Sequence, residues 1–111
     1  MENCIFCKII AGAIPSPRLY EDEHMIVIRD IEPKAKLHYL CIPKVHFALL
    51  SEMEETKSAA LKHCFEKIPT LEKELGLENG YRVIINQGED GGQAVHHLHI
   101  HLLGGEKLKD F

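Results

Sequence analysis

The stretch HHLHIHLLGG, residues 96–105, sets His97, His99 and His101 at every second position, with Leu98, Ile100 and Leu102 between them. On a helix, residues two apart point roughly 200° away from each other, so His99 would lie opposite its neighbours. On a strand the three imidazoles share one face and the aliphatic residues the other. The apolar, partly β-branched filling favours the strand. A row of imidazoles spaced roughly 6–7 Å apart is costly, because grouped histidines in a partly buried site discourage one another from becoming cationic. Two uses fit such a row. One is metal binding by neutral imidazole; the other is nucleophilic attack by a ring with one nitrogen pinned and the other exposed.

Working outward, the preceding loop NQGEDGGQAV (86–95) carries Gly88, Gly91 and Gly92, which let main-chain N–H groups approach an anion closely. It has neither the GK[ST] of a Walker A loop nor a GxGxxG turn. Before it, GYRVIIN (80–86) reads as a strand that is apolar on both faces. Further upstream, Leu61, Cys64, Phe65, Ile68, Leu71 and Leu75 recur at helical spacing, with Gly76 as C-cap. Ser51 and Glu54 have the form of a capping box for this helix. Pro69 predicts a kink or break near Phe65 to Lys67. HYLCIP (38–43) is a buried strand closed by Pro43, and RLYEDEHMIVIRD (18–30) reads as two strands around a turn at Glu21 to Glu23. IFCKIIA (5–11) is a short amphipathic helix stopped by Gly12. The sum is about five strands, one long helix and one short one. Short strand-to-strand connections predict a mainly antiparallel five-stranded sheet in an α+β fold, a single domain over 1–111.

Composition narrows the function. The 111 residues are 45% hydrophobic and 27% charged, with a net charge of −4. With a pI near 6.0, a broad nucleic-acid or anionic-membrane surface is not expected. No apolar run approaches the roughly 18 residues of a membrane span, and MENCIFCKII has no basic region ahead of its apolar stretch. A cytoplasmic protein is expected. Cys41 and Cys64 sit in apolar runs as small core residues. Cys4 and Cys7 form a CxxC pair, which in such a chain suggests metal or redox chemistry more than a structural disulfide.

HLHIHLL matches the H-φ-H-φ-H-φ-φ pattern (φ hydrophobic) of the histidine triad family. The match extends through CIFCKIIAGAIPS (4–16), RDIEPKAKLHYLCIPKVH (29–46) and GYRVIINQGEDGGQAVHHLHIHLLGG (80–105). Over nearly the whole chain the sequence most resembles the Hint branch, the nucleoside phosphoramidases. The resemblance implies hydrolysis of the P–N bond of purine nucleoside phosphoramidates through a nucleotidyl-histidine. It implies His99 as nucleophile, His101 as the group at the phosphate and leaving amine, and His38 as the upstream histidine completing the cluster. Asp30 would accept from the ribose hydroxyls and Ile31 would line the base, with Phe6 and Ile9 as neighbours. Asn86 and the main chain from Gly92 through Ala94 to Val95 would hold the phosphate. Ala94 stands where the branch commonly has serine. Some bacterial members bind zinc through residues that match Cys4, Cys7, His46 and His97. That is a suitable tetrahedral set, closed and structural in kind. A homodimer, with the sheet continued across two copies, is implied as well. Of the remaining histidines, His24, His63 and His96 are expected at the surface or in packing. Two other functions compete: dinucleoside polyphosphate hydrolysis, and a non-enzymatic zinc- or nucleotide-binding module.

Overall fold

The computed structural model describes residues 3–111. Its elements are α1 (Ile5–Ile10), β1 (Tyr20–Glu21), β2 (Met25–Arg29), β3 (Leu37–Pro43), α2 (Glu55–Lys67), β4 (Tyr81–Ile84) and β5 (Ile100–Gly104), with 3-10 turns at Leu50–Glu52 and Ile68–Leu71. The five strands form one sheet in the order β1-β2-β3-β5-β4, every neighbouring pair antiparallel. Among the described residues no helix is long and apolar enough to cross a membrane.

The sheet is covered on both sides, which explains why β2 and β3 are buried almost throughout. Met25, Val27, Tyr39, Cys41, Ile100 and Leu102 face α2 and the turn after it, meeting Leu61, Cys64, Ile68, Leu71 and Leu75. The Tyr39 hydroxyl donates to the Leu75 carbonyl at 2.6 Å, satisfying a buried polar group on this side. Ile26, Ile28, Leu40 and Ile42 face the other way, toward Phe6 and Ile9 of α1. Burying those two side chains contributes roughly 1.5–3 kcal/mol each, which matters because a helix of one and a half turns has little stability of its own. Arg18 closes the helix's C-terminal end, donating to the Ile9 carbonyl at 2.7 Å. Glu21 bridges Arg18 and Lys44, each at 2.8 Å. The Lys44 ammonium above all holds the Glu21 carboxyl below its ordinary range.

The long helix departs from the sequence reading in two places. Ser51 does not begin it: Glu54 is the N-cap, its carboxylate accepting from the Lys57 N–H. Ser51 instead lies in a 3-10 turn organised by Glu52, whose carboxylate accepts from the Ala48 and Leu49 amides. Phe65 is 45% exposed, because the stripe 61, 64, 68, 71, 75 already fills the buried face and Phe65 falls beside it. The break imposed by Pro69 comes at Ile68, where the α-helix tightens into a 3-10 turn. Gly76 has φ +74°, as a C-capping glycine does.

Candidate active site and metal centre

Because α1 covers only part of its side of the sheet, the neighbouring part is left to the histidines. In the β3–β5 register Leu40 lies opposite His101 and His38 opposite Leu103. His38 and His101 are therefore diagonal neighbours on one face, within mutual reach. His38 Nε2 lies 2.8 Å from His101 Nδ1 and 3.4 Å from Asp30 Oδ2. Asp30 is placed there by its own backbone, since its N–H donates to the His38 carbonyl at 3.0 Å just beyond the end of β2. Its Oδ1 accepts from the Glu32 N–H at 2.8 Å.

Of the three alternating histidines only His101 lies within the β5 ladder. His97 and His99 occupy the extended stretch leading into it, anchored by the Leu98 N–H on the Phe47 carbonyl at 2.7 Å. His99 is buried with Nδ1 2.7 Å from the His97 carbonyl oxygen. Nδ1 must carry the proton in that bond, which leaves Nε2 with a free lone pair. The Phe6 ring meets His99 edge-on at 5.0 Å and His97 at 5.9 Å, while His101 lies 4.9 Å from His99. Burial, and then the neighbouring His99 and His38, push His101 down to about 4, against the raising effect of Asp30. Burial also lowers His38, again opposed by Asp30. Both rings are neutral at physiological pH. The arrangement thus offers one nucleophilic nitrogen beside two uncharged imidazoles and a carboxylate.

The glycine loop is braced by residues whose part the sequence did not reveal. Gln93, buried, accepts from the Gly88 N–H at 2.8 Å and donates to the Ala48 carbonyl at 2.9 Å. Gln87 accepts from the Leu50 N–H and donates to the Asn86 carbonyl. The Gly92 and Gln93 amides are spent inside the loop, on the carbonyls of Glu89 and Gly88. Gly92, at φ +76°, thus shapes the turn, and its N–H is not free for an anion. Among the described residues, the Ala94 and Val95 amides have no main-chain acceptor. Val95 packs against the apolar cluster that contains Phe6 and Ile9. Ile31 is brought to none of these groups and stands 94% exposed at the rim. Gly91 is where the loop is tightest: a Cβ there would lie 2.3 Å from the Gln87 carbonyl oxygen. Gly91→Ala is therefore expected to cost about 1–3 kcal/mol of stability through forced loop displacement, measured by urea denaturation at unchanged m-value.

A second cluster adjoins the first. Cys4, Cys7, His46 and His97 bring one ligand atom each to within 4.8 Å of all the others. The individual separations are 3.4 Å for Cys4 Sγ–His97 Nδ1, 3.3 Å for Cys7 Sγ–His46 Nδ1, 3.6 Å for Cys7 Sγ–His97 Nδ1 and 3.1 Å for His46 Nδ1–His97 Nδ1. A tetrahedral zinc with two sulfur and two imidazole ligands has ligand–ligand edges of about 3.3–3.8 Å, so the residues fit the ion. Chemistry agrees with geometry. His97 Nε2 donates to the buried Pro43 carbonyl at 2.7 Å, which leaves Nδ1 unprotonated and aimed at the cluster, as a ligand oriented from behind should be. Burial pushes His97 down to about 4, assisted by His46 and His99 and opposed by the Pro43 carbonyl. Burial and Cys4 raise the Cys7 thiol, which a bound cation would offset by favouring the thiolate. Elsewhere, Cys41 and Cys64 are core residues, His96 is exposed, and His63 binds Asp22 at 2.6 Å with the His24 ring tilted against it at 4.6 Å.

Comparison with known proteins places these features in context. A family model described as scavenger mRNA decapping enzyme C-term binding matches residues 3–110. The protein HitA of Neisseria gonorrhoeae is 47% identical over 104 residues, covering 94% of this chain and 97% of its own. A solved HIT family hydrolase from Clostridium thermocellum is 45% identical, with a TM-score of 0.93 over 100% of this chain and 97% of its own. A zinc-bound histidine triad family protein from Mycobacterium smegmatis is 35% identical, with a TM-score of 0.79 over 97% of this chain and 81% of its own.

Proposed function

The chain belongs to the histidine triad family, and from that premise and the cluster of His38, His99, His101 and Asp30 we propose that it is a hydrolase that cleaves the P–N bond of purine nucleoside 5′-phosphoramidates. The observation that carries the reading is the 2.7 Å bond from His99 Nδ1 to the His97 carbonyl, which makes Nε2 the nitrogen that attacks when the ring is neutral. His99 Nε2 attacks the α-phosphorus, the P–N bond breaks, and the nitrogen departs as the amine after protonation from the His101 side. The nucleotidyl-His99 is then hydrolysed by water to the nucleoside monophosphate. Asp30 accepts from the ribose hydroxyls, and Ile31, exposed when no base covers it, takes one face of the purine. Phe6, Ile9 and Val95 form the apolar wall, and the Ala94 and Val95 amides hold phosphate oxygens beside Asn86.

Cys4, Cys7, His46 and His97 would hold zinc with all four positions filled by the chain. A zinc held so fixes structure and offers no open position for water. The M. smegmatis protein's zinc supports this reading, and no chemical step passes through the site. A homodimer belongs to it as well, formed through β4, an edge strand whose Val83 is 44% exposed and whose outer edge needs cover.

Turnover of a fluorogenic adenosine phosphoramidate, run beside diadenosine polyphosphate, tests the reading. A kcat/KM at least about 100-fold higher for the phosphoramidate is expected. That is about 2.7 kcal/mol of preference. The reverse preference would make the protein a polyphosphate hydrolase, and no turnover of either would make it a binding module.

A further inference from the structure

His38 has one ring nitrogen that the fold has already committed. Its Nδ1 accepts a hydrogen bond from the Lys34 main-chain N–H at 3.0 Å. An amide hydrogen cannot be surrendered or reversed, so this nitrogen is permanently an acceptor. The proton of neutral His38 is therefore on Nε2, which lies 2.8 Å from His101 Nδ1. His101 Nδ1 must accept in turn, and the His101 proton is left on its own Nε2. That atom is buried and has no partner among the described residues. A buried, unpartnered N–H is costly unless a ligand takes it.

We propose that His38 is a positioning residue for departure of the amine: anchored on the Lys34 amide, it holds His101 as the tautomer whose Nε2–H faces the substrate. This deepens the phosphoramidase reading and rests on it for the identity of the acceptor, the phosphoramidate nitrogen or a phosphate oxygen. The source of the lock is main chain. The segment from Asp30 to Lys36 carries Asp30 and Ile31 at one end and the Lys34 amide near the other, so a single segment both grips the nucleoside and orients the donor.

The lock also limits what His38 can do. Passing its Nε2 proton to His101 would require His38 to gain a proton on Nδ1, where the Lys34 N–H already points. His38 is thus no proton conduit. When His101 takes a second proton at Nδ1, the His38 N–H has one other acceptor in reach, Asp30 Oδ2 at 3.4 Å. The ionisable groups around His101 are His99, His38, Asp30 and Lys34, and none of them can replace the Lys34 amide as the fixed end of the chain.

Nitrogen-15 NMR of the histidine rings in the zinc-loaded protein tests this without substrate. Near neutral pH, His38 and His101 are both expected to be protonated on Nε2 and bare on Nδ1. His101 protonated on Nδ1, or His38 so protonated, overturns the proposal whether or not phosphoramidates are turned over. Lys34→Pro, which lacks the amide hydrogen, should let His38 sample both tautomers in a protein whose amide spectrum is otherwise native. A His38 that keeps one tautomer in this variant overturns the role of the amide. Kinetics supply the second arm. Gln can accept through its oxygen and donate through its nitrogen as His38 does, so His38→Gln should keep kcat for an alkylamine phosphoramidate within about 10-fold. His38→Leu should lose about 10²-fold or more, in kcat with KM little changed. Equal losses in the two variants would make His38 a proton carrier or a mere packing residue, and the proposal would fall.

Discussion

His99→Asn is expected to lower turnover of an adenosine phosphoramidate by at least about 10³-fold while changing AMP affinity only a few-fold. Asparagine fills much of the same space and can still donate to the His97 carbonyl, so the Phe6 and His101 rings keep a neighbour at 5.0 and 4.9 Å of the original ring centre. It has no nitrogen lone pair able to attack phosphorus. In the proposed binding mode the ribose, base and phosphate contacts fall on Asp30, Ile31 and the Ala94–Val95 amides, outside the replaced ring. Steady-state kinetics with a parallel AMP titration checks both halves. Mass spectrometry of quenched wild-type protein should reveal a nucleotidyl adduct that the variant lacks. A variant retaining most of its turnover would end the covalent mechanism. One that loses AMP binding along with turnover would make His99 a binding residue.

The second large effect concerns the metal. Wild-type protein should carry about one zinc per chain by elemental analysis, and the double variant Cys4→Ser, Cys7→Ser should carry none. Zinc stabilises the folded chain by mass action, about 2.7 kcal/mol when free zinc is 100-fold above Kd. For a chain of this size the double variant should therefore melt roughly 10–20 °C lower. The loss should not stop at stability. Phe6 lies between the two cysteines and edges onto both His97 and His99, and His97 supplies the carbonyl that holds the His99 ring. Freeing α1 should therefore lower kcat as well. A metal-free protein of unchanged melting temperature and activity would show that the four residues are packing alone.

What could be read directly from the chain was whatever repeats locally. The alternation of His97, His99 and His101 identified the stretch where the histidines gather, and the apolar run HYLCIP identified β3 as a buried strand. The cysteine pair was visible too, though its partners His46 and His97 came only through the family resemblance. What could not be read depends on groups far apart in sequence, or on main-chain atoms that every residue shares. Gln93 reaching the Ala48 carbonyl, Arg18 closing α1, and the Lys34 amide on His38 leave no pattern in residue identity. Ser51 misled because a serine three residues before a glutamate is equally compatible with the 3-10 turn that Glu52 organises. Phe65 misled because one residue of phase on a helix separates its buried face from its flank. Even the histidine row extended further in pattern than in hydrogen bonding, since the ladder begins only at Ile100.

The β3–β5 pairing has a kinetic consequence. The hairpin of β2 and β3 joins neighbours in the chain, but His38 meets His101 across 63 residues and Cys4 meets His97 across 93. Such distant closures are the slow, entropically expensive events of folding. Both the histidine cluster and the candidate metal cluster straddle them, so neither exists in any partly folded species that lacks β5. Zinc capture and phosphoramidate turnover should appear together during refolding, in the last phase and with a single rate constant, each reporting that the final strand has docked.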